Sequence, residues 1–518
     1  VLKRISQMGV SHIWYTGIIR HATQTDYTAY GIPKNHPAIV KGKAGSPYAI
    51  TDYYDVDPDL ATDVDQRMQE FEQLIARTHK AGMKVIIDFV PNHVARQYHS
   101  ICKPAGVKDL GETDNPQNGF DPQNNFYYCP GQRFTPYFDL YHGEDEPYIE
   151  EPAKATGNDC FHNAPSVNDW YETVKLIYGL DYYAGRVGHF NPIPDTWSKM
   201  THILLFWAKK GIDGFRCDMA EMVPAAFWQW ATDKVKYAYP QTIFIGEVYN
   251  PAEYRNYLAA GFDYLYDKVG MYDTLREVMR GNQSTHAITG AWQATDDIRD
   301  HMLYFLENHD EQRIASSFFV GDARKGVPGL VVSALLQQNP LMVYFGQEYG
   351  ERGMDKEGFS GNDGRTTIFD YWSVDTIVRA AQRKLTAQEK QLKTIYDKII
   401  NIAANEKAVT DGVCFDLMYV NGQYNHEYAF IRKAGAEVLL VVANFTESNQ
   451  TISITIPGHA FDFLNLKEKN VQATDLLSGG KQKLSLKRDA SVAVYVENCS
   501  AIESKIGRAV QQECRDRY

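Results

Sequence analysis

A chain of 518 residues is too long for one small core, so a large domain with one or two lesser ones is the expected organisation. Its 44% hydrophobic and 23% charged residues are those of a folded globular protein rather than a disordered one. With 53 basic against 65 acidic side chains, a net charge of −12 and no long run of like charge, the balance argues against a nucleic-acid partner.

The chain opens with "VLKRISQMGVSHIWYTGI", a helix running straight into a strand, so the first strand of any repeating strand–helix pattern is expected upstream of Val1. The next unit, "DVDQRMQEFEQLIARTHKAGMKVIIDFVPNH", is the clearest. Met68, Phe71, Leu74 and Ile75 form a helical stripe, with Thr62 and Asp65 spaced like a capping box. Gly82 ends the helix, and "KVIIDFV" is a continuous apolar strand of the kind buried in parallel sheets. Residues 94–189 break the pattern. They are rich in Asn, Pro, Tyr and Gly without a period, as in "NPQNGFDPQNNFYYCPGQRFTPYFDLYHG", which marks a functional insertion rather than a simple loop. Strand–helix alternation resumes with "WSKMTHILLFWAKKGIDGFRCD". It continues through "IFIGEVY", "FDYLYD", "MLYFLENHD" and "LMVYFGQE", with helical stretches such as "AAFWQWATDKVKYA" between.

Such alternation predicts an α/β fold, a (β/α)8 TIM barrel built from 1–93 and 190–408, with seven strands present and the first absent. After the helix "TAQEKQLKTIYDKIINIAANEK" the period changes to two, predicting a C-terminal antiparallel β-sandwich over 409–498. The tail 499–518 continues no pattern. Seven cysteines without a C-x-x-C pair fit neither a disulfide scaffold nor zinc, and Cys102, Cys129 and Cys160 are expected as free thiols. No apolar run approaches the ~18 residues of a membrane span. The 34 tyrosines suit large cores, and also platforms on which a sugar could stack.

Working residues of a barrel gather at the C-terminal ends of its strands. There "DFVPNH" offers Asp88, Asn92 and His93, "GFRCD" offers Arg216 and Asp218, "GEVY" offers Glu247, and "ENHDE" offers Asn308, His309 and Asp310. Arg216 and Asp218, two apart, share a strand face, where a core would hold Val or Ile. A single barrel-end carboxylate is often a helix cap or an ion-pair partner. Several at successive strand tips repel and perturb one another, and that points to function. No G-x-x-x-x-G-K-[ST], H-E-x-x-H or strand-following G-x-G-x-x-G motif offers another enzyme class.

In this order and at these spacings, "DFVPNH", "GFRCD", "GEVY" and "ENHD" resemble the four main motifs of the α-amylase family, family 13 of the glycoside hydrolases. "GVSHIWYTG", "SPYAITDYYDVDPDLAT" and "NPLMVYFGQEYG" resemble further segments of that family, and the likeness covers about 1–498. The resemblance makes 94–189 its inserted domain B. It implies Asp218 as nucleophile, Glu247 as acid and then base, and Asp310 as the carboxylate that grips the distorted sugar. Arg216 would keep Asp218 ionised, His93 and His309 would hydrogen-bond the sugar, and Tyr48 would stack on it. A carboxyl flanked by "FIG" and "VY" is expected in a dry place that favours its acid form.

The implied activity is retaining hydrolysis of α-1,4-glucosidic bonds in starch, maltooligosaccharides or cyclodextrins, with Val248 compatible with that linkage. Transglycosylation on the same site and a non-catalytic glucan-binding role are the alternatives. The resemblance gives Asn92 to a structural calcium held with domain B, for which no partner ligands stand out in the sequence, and it favours an extracytoplasmic setting. Two departures are visible: Glu221 and Met222 stand where Lys-His is frequent, and Gly17 where Pro is common.

Overall fold

The computed structural model describes residues 1–140, 146–353, 362–497 and 508–512. The chain divides into two compact units, one of Ser11–Leu265 with Ile368–Tyr371, the other of Val1–Val10, Tyr266–Thr367 and Trp372–Tyr518.

In the first unit, strands His12–Tyr15, Lys84–Phe89, Gly214–Cys217 and Ile243–Gly246 pair in parallel in that order, and Tyr264 and Leu265 continue the ladder. Each of the later strands is preceded by a helix, namely Arg67–Lys80, Asp195–Lys209 and Ala225–Ala238. Val85, Ile87, Phe89, Phe215 and Cys217 are fully buried, as strands covered on both faces require. Phe89 meets Phe215 and Trp228 edge-on, an aromatic layer between sheet and helix. Gly17 has φ +71°, a conformation closed to the proline that is common at its position.

The expected capping box at Thr62 and Asp65 is not formed. Instead Asp63 caps a short turn, Val64–Gln66, and the Glu70 carboxylate accepts the N–H groups of Thr62 and Asp63. Acidic side chains still satisfy the free donors at this helix start, in a different arrangement. The irregular stretch after Phe89 is pinned by a ladder in which His93–Ala95 pairs antiparallel with Thr173–Lys175, His93 opposite Lys175. A four-residue clasp, Ile368–Tyr371, completes this unit: Phe369 accepts the N–H of Ala44, Asp370 accepts that of Lys43, and the Tyr371 hydroxyl donates to Asp59 at 2.7 Å.

In the second unit the Asp267 N–H donates to Leu303, and Met302–Phe305 pairs in parallel with Leu341–Met342. The helix between them, Val327–Leu335, is buried along its whole length. Helix Ala387–Asn405 begins with a full capping box, Thr386 and Glu389. Beyond it the strands turn antiparallel, in the order Val413–Asp416, Glu427–Ala434, Glu437–Asn444, Arg508–Gln512, Lys469–Asp475, Lys481–Leu486, with Gln450–Ile456 and Ala490–Val496 paired separately. Arg508–Gln512 is a strand that the sequence did not suggest, inside the tail read as patternless; the rest of 498–518 lies outside the described residues.

The fold is thus the (β/α)8-barrel class with seven parallel strands, an irregular insertion and C-terminal antiparallel sheets. Among the described residues all five cysteines are free thiols, and no helix is long and apolar enough to cross a membrane.

Candidate active site

Arg216 is fully buried on Gly214–Cys217, its Cα opposite Asp88 on one side and Ile245 on the other. One guanidinium serves three carboxyls there. Its Nη1 lies 2.9 Å from Asp218 Oδ1 and 3.4 Å from Asp88 Oδ1, and its Nη2 lies 2.8 Å from Glu247 Oε2. Two aromatic rings flank the same cation, Trp14 at 5.2 Å and Tyr48 at 5.5 Å from its Cζ. The Trp14 indole N–H donates to Asp88 Oδ2 at 2.9 Å.

All three carboxyls are buried, at 5%, 6% and 3% exposure for Asp88, Asp218 and Glu247. One positive charge cannot balance three negative ones in a dry site, so uptake of a proton by one of them is favoured. Burial pushes Asp88 up to about 6, against the opposing pull of Arg216 and Trp14.

Glu247 is buried, as expected, and its partners there are charged and polar. Besides Arg216, its Oε2 accepts the backbone N–H of Met219 at 2.8 Å and its Oε1 accepts the Tyr249 hydroxyl at 2.5 Å. A dry pocket favours the acid form, but these partners suit a carboxylate. Met219, directly after Asp218, has φ +43°, a left-handed conformation of a kind that costs a β-carbon-bearing residue about 1–3 kcal/mol. The bond from Met219 to Glu247 ties that strained turn to the neighbouring strand end.

His93 is buried, within 5.4 Å of the Trp170 ring. Burial first, then the positive charges of Lys175 and Lys41, push its pKa down to about 3, so the ring is neutral. Asn92 is wholly buried beside it, its amide donating to Gly157 O at 2.8 Å and accepting from Lys175 Nζ at 2.5 Å.

His309 and Asp310 belong to the second unit, on the turn after Met302–Phe305. The Asn308 side chain fixes that turn by accepting the N–H groups of Asp310 and Glu311, both at 2.9 Å. His309 Nε2 lies 3.2 Å from Asp310 Oδ2. Below it, buried Glu307 holds buried Arg313 at 2.9 Å and accepts the Ile314 N–H at 2.7 Å. Arg216, Asp218, Glu247 and Tyr48 are thus brought around one guanidinium, while His309 and Asp310 are set by a turn of their own.

A sequence profile for the α-amylase catalytic domain matches residues 1–411. The chain belongs to the α-amylase family. It is a glycoside hydrolase, similar along 83% of its length to Alpha-amylase 3 of Dictyoglomus thermophilum, at 23% identity and covering 81% of that protein. It is also 22% identical to the cyclomaltodextrinase of Thermoanaerobacter pseudethanolicus, over 81% of this chain and 62% of that one. Alpha-amylase MalA of Haloarcula japonica is 24% identical over 95% of this chain, which spans just 57% of that relative. Among solved structures, the maltogenic α-amylase AmyB of Thermotoga neapolitana shares the fold, with TM-score 0.65 at 19% identity over 99% of this chain and 92% of its own.

Four residues of this α-amylase-family enzyme carry contacts that the motifs alone did not assign: Trp14, Asp88, Tyr249 and Lys175. Asp88 stood in a quoted motif without a role. Lys175 is visible in retrospect as a lone charge inside the apolar run "TVKLIYG".

Proposed function

We propose that this enzyme is a retaining α-glucan hydrolase that cleaves α-1,4-glucosidic bonds in starch, maltooligosaccharides or cyclodextrins by double displacement. The observation that carries the reading is the shared guanidinium, with Asp218 and Glu247 at 2.9 and 2.8 Å from the two Nη atoms of Arg216. Two carboxyls held by one small planar cation are neighbours, as the paired carboxyls of retaining chemistry, ~5–5.5 Å apart, have to be.

Asp218, held as an anion by Arg216, attacks the anomeric carbon as Glu247 gives its proton to the leaving oxygen, and a glycosyl ester forms. Glu247 then takes a proton from water, which opens the ester and restores Asp218. The Tyr249 hydroxyl donates to Glu247 as a carboxylate and can accept from it as an acid. Neutral His93 suits an uncharged sugar hydroxyl as a hydrogen-bond partner, with Tyr48 stacking on the ring. For His309 and Asp310 the reading keeps the sugar-binding roles that the family resemblance implies. The amylase and cyclomaltodextrinase names of the relatives support the α-glucan substrate class.

The test is incubation with maltoheptaose, products separated by chromatography and the first-formed anomer read by proton NMR. Short maltooligosaccharides in the α form are expected. The Glu247→Gln variant should lose about 10²–10⁴-fold in kcat, the usual worth of positioned acid–base catalysis. Undiminished turnover by Asp218→Asn, or β product formed first, would sink the mechanism. Products longer than the substrate would identify transfer instead of hydrolysis.

A further inference from the structure

The family resemblance gives Asn92 to a structural calcium, and the surroundings of Asn92 do not fit that ion. Its side-chain oxygen is taken by the Lys175 ammonium at 2.5 Å, and its nitrogen by Gly157 O at 2.8 Å. Lys175 is 2% exposed and stands opposite His93 in the ladder that pins the insertion. Its Nζ lies 2.7 Å from Asp159 Oδ1 and 5.4 Å from the Tyr182 ring centre. One amide oxygen, one carboxylate oxygen and an aromatic face thus meet the three N–H bonds of the ammonium.

Calcium needs six to eight oxygens at about 2.3–2.6 Å. An ion that close to Asn92 Oδ1 would fall on Nζ itself, and the lysine charge would repel it. Among the described residues Asp159 is the one carboxylate in contact with the ammonium, half the charge a divalent ion asks for.

We propose that the Lys175 ammonium is the resident cation of this site, doing for Asn92 and the 94–189 insertion what a bound calcium would otherwise do. The strand that carries it, Thr173–Lys175, is itself part of the insertion, so the cation arrives with the segment it anchors. Its partners lie outside and inside the insertion, Asn92 before it and Asp159 within it.

The experiment is thermal unfolding of the metal-stripped full chain in excess EGTA and in excess calcium chloride. The same Tm in both is expected. A calcium-dependent rise that Asn92→Ala abolishes overturns the proposal, because the ion is then held here. A rise that Asn92→Ala leaves intact counts for it, since Asn92 has no part in that binding. As a second arm, Lys175→Met keeps the apolar stem and removes the charge, and its Tm is expected to fall well below the parent's. A Lys175→Met variant that melts with the parent overturns the assignment. Should that variant not fold, the calcium arm on the parent still decides.

Discussion

Asp88 is the residue whose titration reports on the crowding at Arg216. Its folded pKa of about 6 stands above the ordinary 3.8, so between those values the folded chain keeps a proton that the unfolded chain has released. Its contribution to stability is therefore full below pH ~3.8 and lost as pH rises through about 6. The Asp88→Asn variant cannot titrate. Relative to the parent it should gain about 2 kcal/mol between pH ~4.5 and ~7.5, at about 1.4 kcal/mol per unit of pKa difference, read by denaturant unfolding. A difference between the two chains that stays constant with pH would show that Asp88 does not titrate there. Tyr249 offers a second test, because its hydroxyl donates to Glu247 Oε1. Hydrogen bonds to charged groups are worth about 1.5–3 kcal/mol, so Tyr249→Phe should lose about tenfold or more in kcat while KM changes little. An unchanged kcat would leave Tyr249 as packing. Of the groups around Arg216, the three carboxyls Asp88, Asp218 and Glu247 were legible in the sequence, because charge at the tip of an apolar run is conspicuous. Trp14 and Tyr249 were not, since an aromatic residue beside a strand reads equally well as core.

Among the elements, the turn from Glu307 to Arg313 shows how a buried ion pair positions a loop. Arg313 is fully buried and also donates to Thr366 Oγ1 and Phe345 O, both at 2.9 Å. Removing one partner of a buried pair leaves the other charge stranded, typically at about 3–5 kcal/mol. Arg313→Met is expected to lose that much by denaturant titration, and a loss under 1 kcal/mol would show the pair to be dispensable. A smaller effect, about 1 kcal/mol, is expected for Thr386→Ala at the start of Ala387–Asn405, where the capping box is complete. The seven parallel strands were legible because each is a short apolar run between amphipathic stretches. The capping of Arg67–Lys80 was misread because the adjacent Thr62 and Asp63 can both cap, and one local turn gives that role to Asp63. The pairing of Lys175 with Asn92 was out of reach of any local pattern, since 83 residues separate the two partners.

For the molecule as a whole, the family profile ends at residue 411, yet the fold does not pause there. Arg432, buried on Glu427–Ala434, donates to the carbonyls of Leu336, Ala408, Val409 and Gly412. A fragment of residues 1–411 would leave buried carbonyls without donors, which folded proteins rarely tolerate. It is expected to lose the cooperative melt of the full chain, and a fragment that melts as sharply would show the antiparallel sheets to be a detachable module.

The clasp at Ile368–Tyr371 bears on the order of events during synthesis. The unit of Ser11–Leu265 is complete only with four residues encoded about a hundred positions further on, while Arg4, in the decapeptide before it, donates to Ala380 of the other unit. Neither unit is a continuous piece of chain. A nascent polypeptide leaving the ribosome from its N-terminus can settle the parallel strands early, but the tyrosine that holds Asp59 emerges late. Until Tyr371 is out, translation itself keeps that first unit waiting for its last hydrogen bonds.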